Sequence, residues 1–168
     1  MISWQYYPKS DAVPAHLLKV IDVFKKHEDA IDSSQQCLAS NNVLVIIRES
    51  LLKAGFKVEK GYKIEDKIKV AVLFGRDGKL EKSFHVDALQ EDTRTVIEVE
   101  AGRAVVNFQF LKDLFEACMM HNIEYSVIAV RRVYGRKADF EIVNTYFDTL
   151  YASGRLKLPL KGILIVGY

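Results

Sequence analysis

Cysteine and proline are scarce in this chain of 168 residues, which has two of the first and three of the second. Cys37 and Cys118 lie far apart, each in a helix-like apolar pattern, so a disulfide framework or a structural zinc site is not expected. A reducing, cytoplasmic setting fits such usage. Long apolar runs are also missing: none approaches the ~20 residues that span a bilayer. The opening stretch MISWQYYPKSD lacks the basic-then-apolar order of a secretory leader. Neither a membrane span nor export is therefore expected. No Gly/Ser/Pro-rich linker, internal repeat or low-complexity tract divides residues 1–168, which read as a single domain. A net charge of +2 is too small to argue for a nucleic-acid partner, although it conceals a local cluster, RRVYGRK, at 131–137. What the chain does have is a hydrophobic content of 49%, enough at this length to bury a proper core.

The periodicities set out the elements. Residues 14–27 place Leu17, Leu18, Ile21 and Phe24 on one helical face, with Pro14 in a first turn. Residues 34–54 predict a second helix, with Val43, Ile46, Ile47 and Leu51 inward and Gly55 as its stop. Three strand-like runs follow at 67–74, 81–89 and 94–100, joined by GRDGK and QEDT turns, and predict an antiparallel meander. Residues 104–121 reach helical length and are apolar nearly all round, as expected of a helix packed on a sheet. A buried strand at 124–132, an amphipathic helix at 137–154 ending at Gly154, and a last strand at 161–167 complete the chain. The order α, α, β, β, β, α, β, α, β predicts a three-layer α/β fold, a central mixed sheet flanked by helices.

Within TRTVIEVEAGRAVVNFQF, Glu98 and Glu100 share one face of a strand, because side chains alternate with period two. The short QEDT turn brings Asp87 opposite or diagonal to Val96–Glu98. Three carboxylates on a covered sheet repel one another and lose hydration unless protonated or neutralised by a cation. Acids at alternate positions are also ordinary on the solvent side of an antiparallel sheet. The apolar helix that follows, and Val96 on the same face, argue for a covered one. A divalent cation is the economical partner. Mg²⁺ takes one or two carboxylates, keeps waters and leaves positions for phosphate oxygens, which suits phosphodiester hydrolysis.

Asp87 within FHVDA, followed by Glu98-Val99-Glu100, resembles the motif of the PD-(D/E)XK nuclease superfamily in its type II restriction endonuclease branch. That motif has an acid on the second core strand and an acid-any-lysine triplet on the third. The likeness covers about residues 36–131, in the order helix, meander, helix, strand. Val86 replaces the motif proline and Glu100 the motif lysine, which is similar to the BamHI- and BglII-like variants. The resemblance implies a restriction-endonuclease-like fold and a Mg²⁺-dependent endodeoxyribonuclease, Mn²⁺ substituting. Asp87 and Glu98 would be metal ligands, and Glu100 would orient or deprotonate the attacking water and touch metal. It further implies DNA as partner, a two-fold homodimer by analogy, and an acid on the first core helix, here Glu49, reaching the site.

Other residues bear weighing. His85 shares a strand face with Asp87, but a lone strand histidine is more often a hydrogen-bonded bystander. Arg103, after Gly102, is placed to meet a phosphate, unless the pair is only a turn. Arg131, Arg132, Arg136 and Lys137 leave a strand end together and are candidates for nucleic-acid backbone contact. Two alternatives to the restriction-type nuclease stand: a structure-selective repair nuclease, and a nuclease-like fold without catalysis that serves as a binding or assembly module. The missing lysine favours the latter.

Overall fold

A computed structural model describes residues 1–61 and 63–168. Its centre is a six-stranded mixed sheet in the order β1-β8-β7-β6-β5-β2. Strands β6 (Thr95–Val99), β7 (Tyr125–Val130) and β8 (Gly162–Gly167) run parallel, while β1 (Ser3–Tyr7), β5 (Ala88–Gln90) and β2 (Lys57–Val58) join antiparallel at the two sides. Strands covered on both faces are expected to be apolar without alternation. Ile163, Leu164, Ile165 and Val166 accordingly have no exposed surface.

Helices cover both faces. On one side α1 (Ala15–Lys26) inserts Leu17, Val20, Ile21 and Phe24, and α3 (Ser40–Lys53) inserts Val43, Leu44, Ile47 and Leu51, against Ile97, Val127 and Leu164. The spacing of three and four in each set is what puts them on one helical stripe. A four-residue helix, α2 (Glu28–Ile31), links the two. On the opposite face α4 (Gln109–Met119) and α5 (Asp139–Ser153) bury Phe110, Leu114, Val143 and Phe147 against Val96, Ile128 and Ile165. The three-layer expectation holds.

Four details differ from the sequence expectation. The predicted meander is four strands in two sheets: β3 (Ile68–Phe74) and β4 (Leu80–Val86) form a separate antiparallel hairpin, and the chain leaves it at Asp87 to enter the main sheet as β5. The second helix starts at Ser40 rather than 34, with Ala39 extended before it. The third starts at Gln109 rather than 104, because Phe108 adopts the left-handed conformation (φ 51°), which a helix cannot continue through. Strand β1 was not expected; Ser3–Tyr7 is short, and its place is fixed by pairing with β8 and by Tyr7, whose hydroxyl donates to Asp148 on α5 at 2.9 Å. Both cysteines are free, and no described helix is long and apolar enough to cross a membrane.

This architecture separates positions that hold the sheet from positions that do not. Ile97 is fully buried between β5 and β7, so Ile97→Ala is expected to destabilise the chain by about 2–5 kcal/mol in urea unfolding. Leu80→Ser, at the half-exposed hairpin tip, is expected to stay within about 0.5 kcal/mol.

Candidate active site

The acids meet where β5 begins and β6 ends. Ala88 pairs with Ile97, and one step further along that register sets Asp87 opposite Glu98. Along β6, Val96 packs toward α4 while Ile97 and Val99 pack toward α1 and α3. Period two therefore turns Glu98 and Glu100 toward α4. There α4 presents a fourth acid, Asp113, which is buried on the helical stripe of Phe110, Leu114 and Ala117.

Backbone contacts fix the frame. The Val99 N–H donates to Asp87 Oδ2 at 2.8 Å, and the Glu59 N–H donates to the Asp87 carbonyl at 2.9 Å. The Glu100 N–H donates to the Ala129 carbonyl at 2.7 Å, and the Tyr168 hydroxyl donates to the Glu100 carbonyl at 2.6 Å. Beside Asp87 the buried Glu59 carboxylate accepts two hydrogen bonds from Lys67 Nζ, both at 2.8 Å.

The electrostatics are those of crowded carboxyls. Asp87, Glu98 and Glu100 keep some contact with solvent, yet protein atoms crowd them closely enough that lost hydration is the largest influence on each. It pushes Asp87 from 3.8 up to about 6, against the Val99 hydrogen bond, which favours the ionised form; Glu59 pushes further and Lys67 opposes. Glu98 is raised well above the carboxylate range by desolvation and then by Asp87, Asp113 and Glu100. Glu100 and Asp113 are both raised, chiefly by desolvation, and the two side chains interact directly. Lys112 is the cation that opposes these shifts at Glu98, Glu100 and Asp113. It lies 3.2 Å from Glu116 and 3.9 Å from Asp113, with a largely exposed side chain.

The structure thus brings Asp87, Glu98 and Glu100 together and leaves Glu49 out. Glu49 is exposed on α3, two residues from each of the buried Ile47 and Leu51 and so on the opposite face of the helix. His85 is exposed on the hairpin, across from Lys69. The basic residues divide. Arg131 is buried, donating to the Leu38 carbonyl and to Cys37 Sγ, and Arg132 pairs with Asp32 at 3.3 Å. Arg103, Arg136 and Lys137 are exposed. Sequence reasoning missed Asp113 and Glu59. Asp113 could have been found as the acid falling three residues after Phe110 and one before Leu114, on the helix's own apolar stripe.

No protein-family model matches the chain, and no curated protein does. Among solved structures, it superposes on the restriction endonuclease BglII complexed with a DNA 16-mer at a TM-score of 0.52, covering 99% of this chain and 75% of that one at 13% identity. The fold is that of a restriction endonuclease. It follows that the acid cluster lies in a restriction-endonuclease-like sheet.

A carboxyl raised in the native state holds a proton that the unfolded chain has already released, so stability falls as pH climbs from the ordinary value toward the raised one. For Asp87 that window runs from 3.8 to about 6, and Glu98, Glu100 and Asp113 extend it upward. His16 and His27, held below their ordinary value by desolvation, act in the opposite sense. Asp113→Asn leaves those histidines untouched. The metal-free melting temperature of wild type is expected to fall more than that of Asp113→Asn between pH 5 and pH 8; parallel curves would contradict the cluster's electrostatics.

Proposed function

We propose that the chain is a Mg²⁺-dependent endodeoxyribonuclease, Mn²⁺ serving in place of Mg²⁺, that hydrolyses DNA phosphodiester bonds. One observation carries the reading: Asp87, Glu98 and Glu100 converge on one face of a restriction-endonuclease-like sheet, with Asp113 behind them and too few cations to balance them. The donor chemistry fits a hard divalent ion, since all are carboxylates and each raises the cost of ionising its neighbours. As the side chains stand, no group of three acids, histidines or cysteines among the described residues is gathered tightly enough to hold an ion. Asp87 is turned to the Val99 N–H and Glu100 interacts with Asp113, so an ion would have to draw these side chains off those partners.

Asp87, Glu98 and Glu100 would hold the ion, which when bound polarises a phosphoryl oxygen and acidifies a water. Asp87 would turn from the Val99 amide to do so. Glu100, where the motif lysine would stand, is the proton acceptor for the attacking water, and Asp113 beside it keeps its affinity for a proton high. Lys112 brings an ammonium to the same cluster from α4. Arg103, Arg136 and Lys137 supply exposed positive charge for the DNA backbone. Cutting both strands of a duplex takes one site per strand, so the active species is a two-fold homodimer.

Supercoiled plasmid incubated with Mg²⁺ or Mn²⁺, with EDTA as control, tests the reading. Cleavage is expected, and Asp87→Ala, Glu98→Ala and Glu100→Ala are each expected to reduce it by at least about 100-fold. DNA binding in Ca²⁺ should be nearly unchanged. Mn²⁺ at 100 times its dissociation constant should stabilise wild type by about 2.7 kcal/mol, and Asp87→Ala should lose most of that gain. DNA binding without any cleavage would assign the chain to a binding module instead.

A further inference from the structure

A cleft of about 380 Å³ opens between the start of α3 and the end of β7, lined among others by Ser40, Glu100, Gly102, Arg103, Arg131 and Tyr134. Its lining has three properties. Arg131 is only 5% exposed, yet no carboxylate lies within ion-pair distance of it among the described residues, and its Nε has no hydrogen-bond partner. Asp139 feels the Arg131 charge but both of its own oxygens are unpartnered. A buried cation with no carboxylate in direct contact is costly, and an anion entering the cleft would supply that contact.

The second property is the start of α3. This helix runs 14 residues, its N-cap is Ala39, and no side chain caps it. Its first N–H groups, on Ser40 and Asn41, have no acceptor within the helix and carry the positive end of its dipole. Arg131 anchors the preceding segment through the Leu38 carbonyl and Cys37, which fixes these donors relative to its own charge. The third property is steric. The Tyr134 ring lies 5.0 Å from the Arg131 guanidinium and presses on Gly102, where an added Cβ would come within 2.5 Å of it. Only glycine lets the ring close over Arg131 while Arg103 follows at the rim. The cleft is therefore walled by one buried guanidinium, one exposed guanidinium and a free helix start, with the Glu100 carboxyl at its border with the acid cluster.

We propose that this cleft is a phosphate-binding subsite, seating a phosphate of the bound strand next to the one that is cut. It rests on the nuclease reading for the identity of the strand, but the anion site itself does not require metal or cleavage. The shared chemistry is a phosphate oxygen facing N–H donors. A terminal phosphate and an internal phosphodiester both provide it.

The decisive variant is Ser40→Pro. Proline is favoured at the first helical position, where the N–H it lacks has no helical partner, and Ala39 at φ −70°, ψ 154° already has the backbone that a following proline requires. The change removes one donor from the cleft and leaves the helix intact, as circular dichroism would check. The ¹⁵N-labelled full chain, in EDTA at constant ionic strength, is titrated with inorganic phosphate. The Ser40 and Asn41 amide resonances are expected to shift and saturate. Ser40→Pro, followed at Asn41, and Arg103→Ala should each weaken phosphate binding about tenfold or more, the loss of one hydrogen bond to a charged group.

Should Ser40→Pro not fold, Arg103→Ala at its exposed position carries the comparison. Immobile Ser40 and Asn41 amides, or variants that bind phosphate as wild type does, overturn the proposal. A second arm compares short duplexes with 5′-phosphate and 5′-hydroxyl ends. Tighter binding of the phosphorylated duplex, lost in Arg103→Ala, assigns the cleft to a strand end; equal binding weakened alike by Arg103→Ala assigns it to an internal phosphate. A chain that binds phosphate here and never cuts plasmid retains the cleft and loses the nuclease. One that cuts and ignores phosphate does the reverse.

Discussion

The joint at Asp87 is the contact on which the rest depends. At this residue the chain passes from the β3–β4 hairpin into the main sheet. Both polar ends of the residue are used there: the carbonyl accepts from the Glu59 N–H, and the carboxylate accepts from the Val99 N–H. A hydrogen bond from a backbone amide to a carboxylate is stronger than a neutral one. Here it spans the gap between the strand that carries the first acid and the strand that carries the other two. The same contact that ties hairpin to sheet thus sets the acids side by side.

That arrangement has an electrostatic cost which the fold only partly offsets. Protonation meets part of it, since desolvation, and after it repulsion from neighbouring acids, raises all four carboxyls. Lys112 and Lys67 meet another part from the periphery, each already engaged with a carboxylate of its own, Glu116 and Glu59. A sheet end that concentrates negative charge in this way is a poor device for stability alone. Under the proposed nuclease reading it is a place for a cation and for proton transfer, in keeping with the way perturbed electrostatics cluster at functional sites.

Positive charge is arranged on the opposite plan. Arg131 turns inward at the end of β7, stacks on Tyr134 and holds the segment leading into α3. Arg132 is spent on Asp32. Two of the four charges in the RRVYGRK cluster therefore build the wall of the cleft and its surroundings, and Arg136 and Lys137 remain outside. A residue's charge in a sequence does not say whether it will meet solvent, because the strand that carries it fixes its direction.

Much of the architecture follows from local pattern. The stripes of α1 and α3, the apolar runs of β7 and β8, and the pairing of Glu98 with Glu100 on one face are consequences of local pattern, and that pattern is written in the chain. The break at Asp87, the late start of α4 at Phe108 and strand β1 depend on partners distant in sequence, and no local signal specifies them. The same holds for the site. Sequence alone determined that Asp87, Glu98 and Glu100 would share a face. Only tertiary structure decided that Asp113 would join them from α4 while Glu49 faced solvent, because which side of a helix meets which face of a sheet is settled by packing.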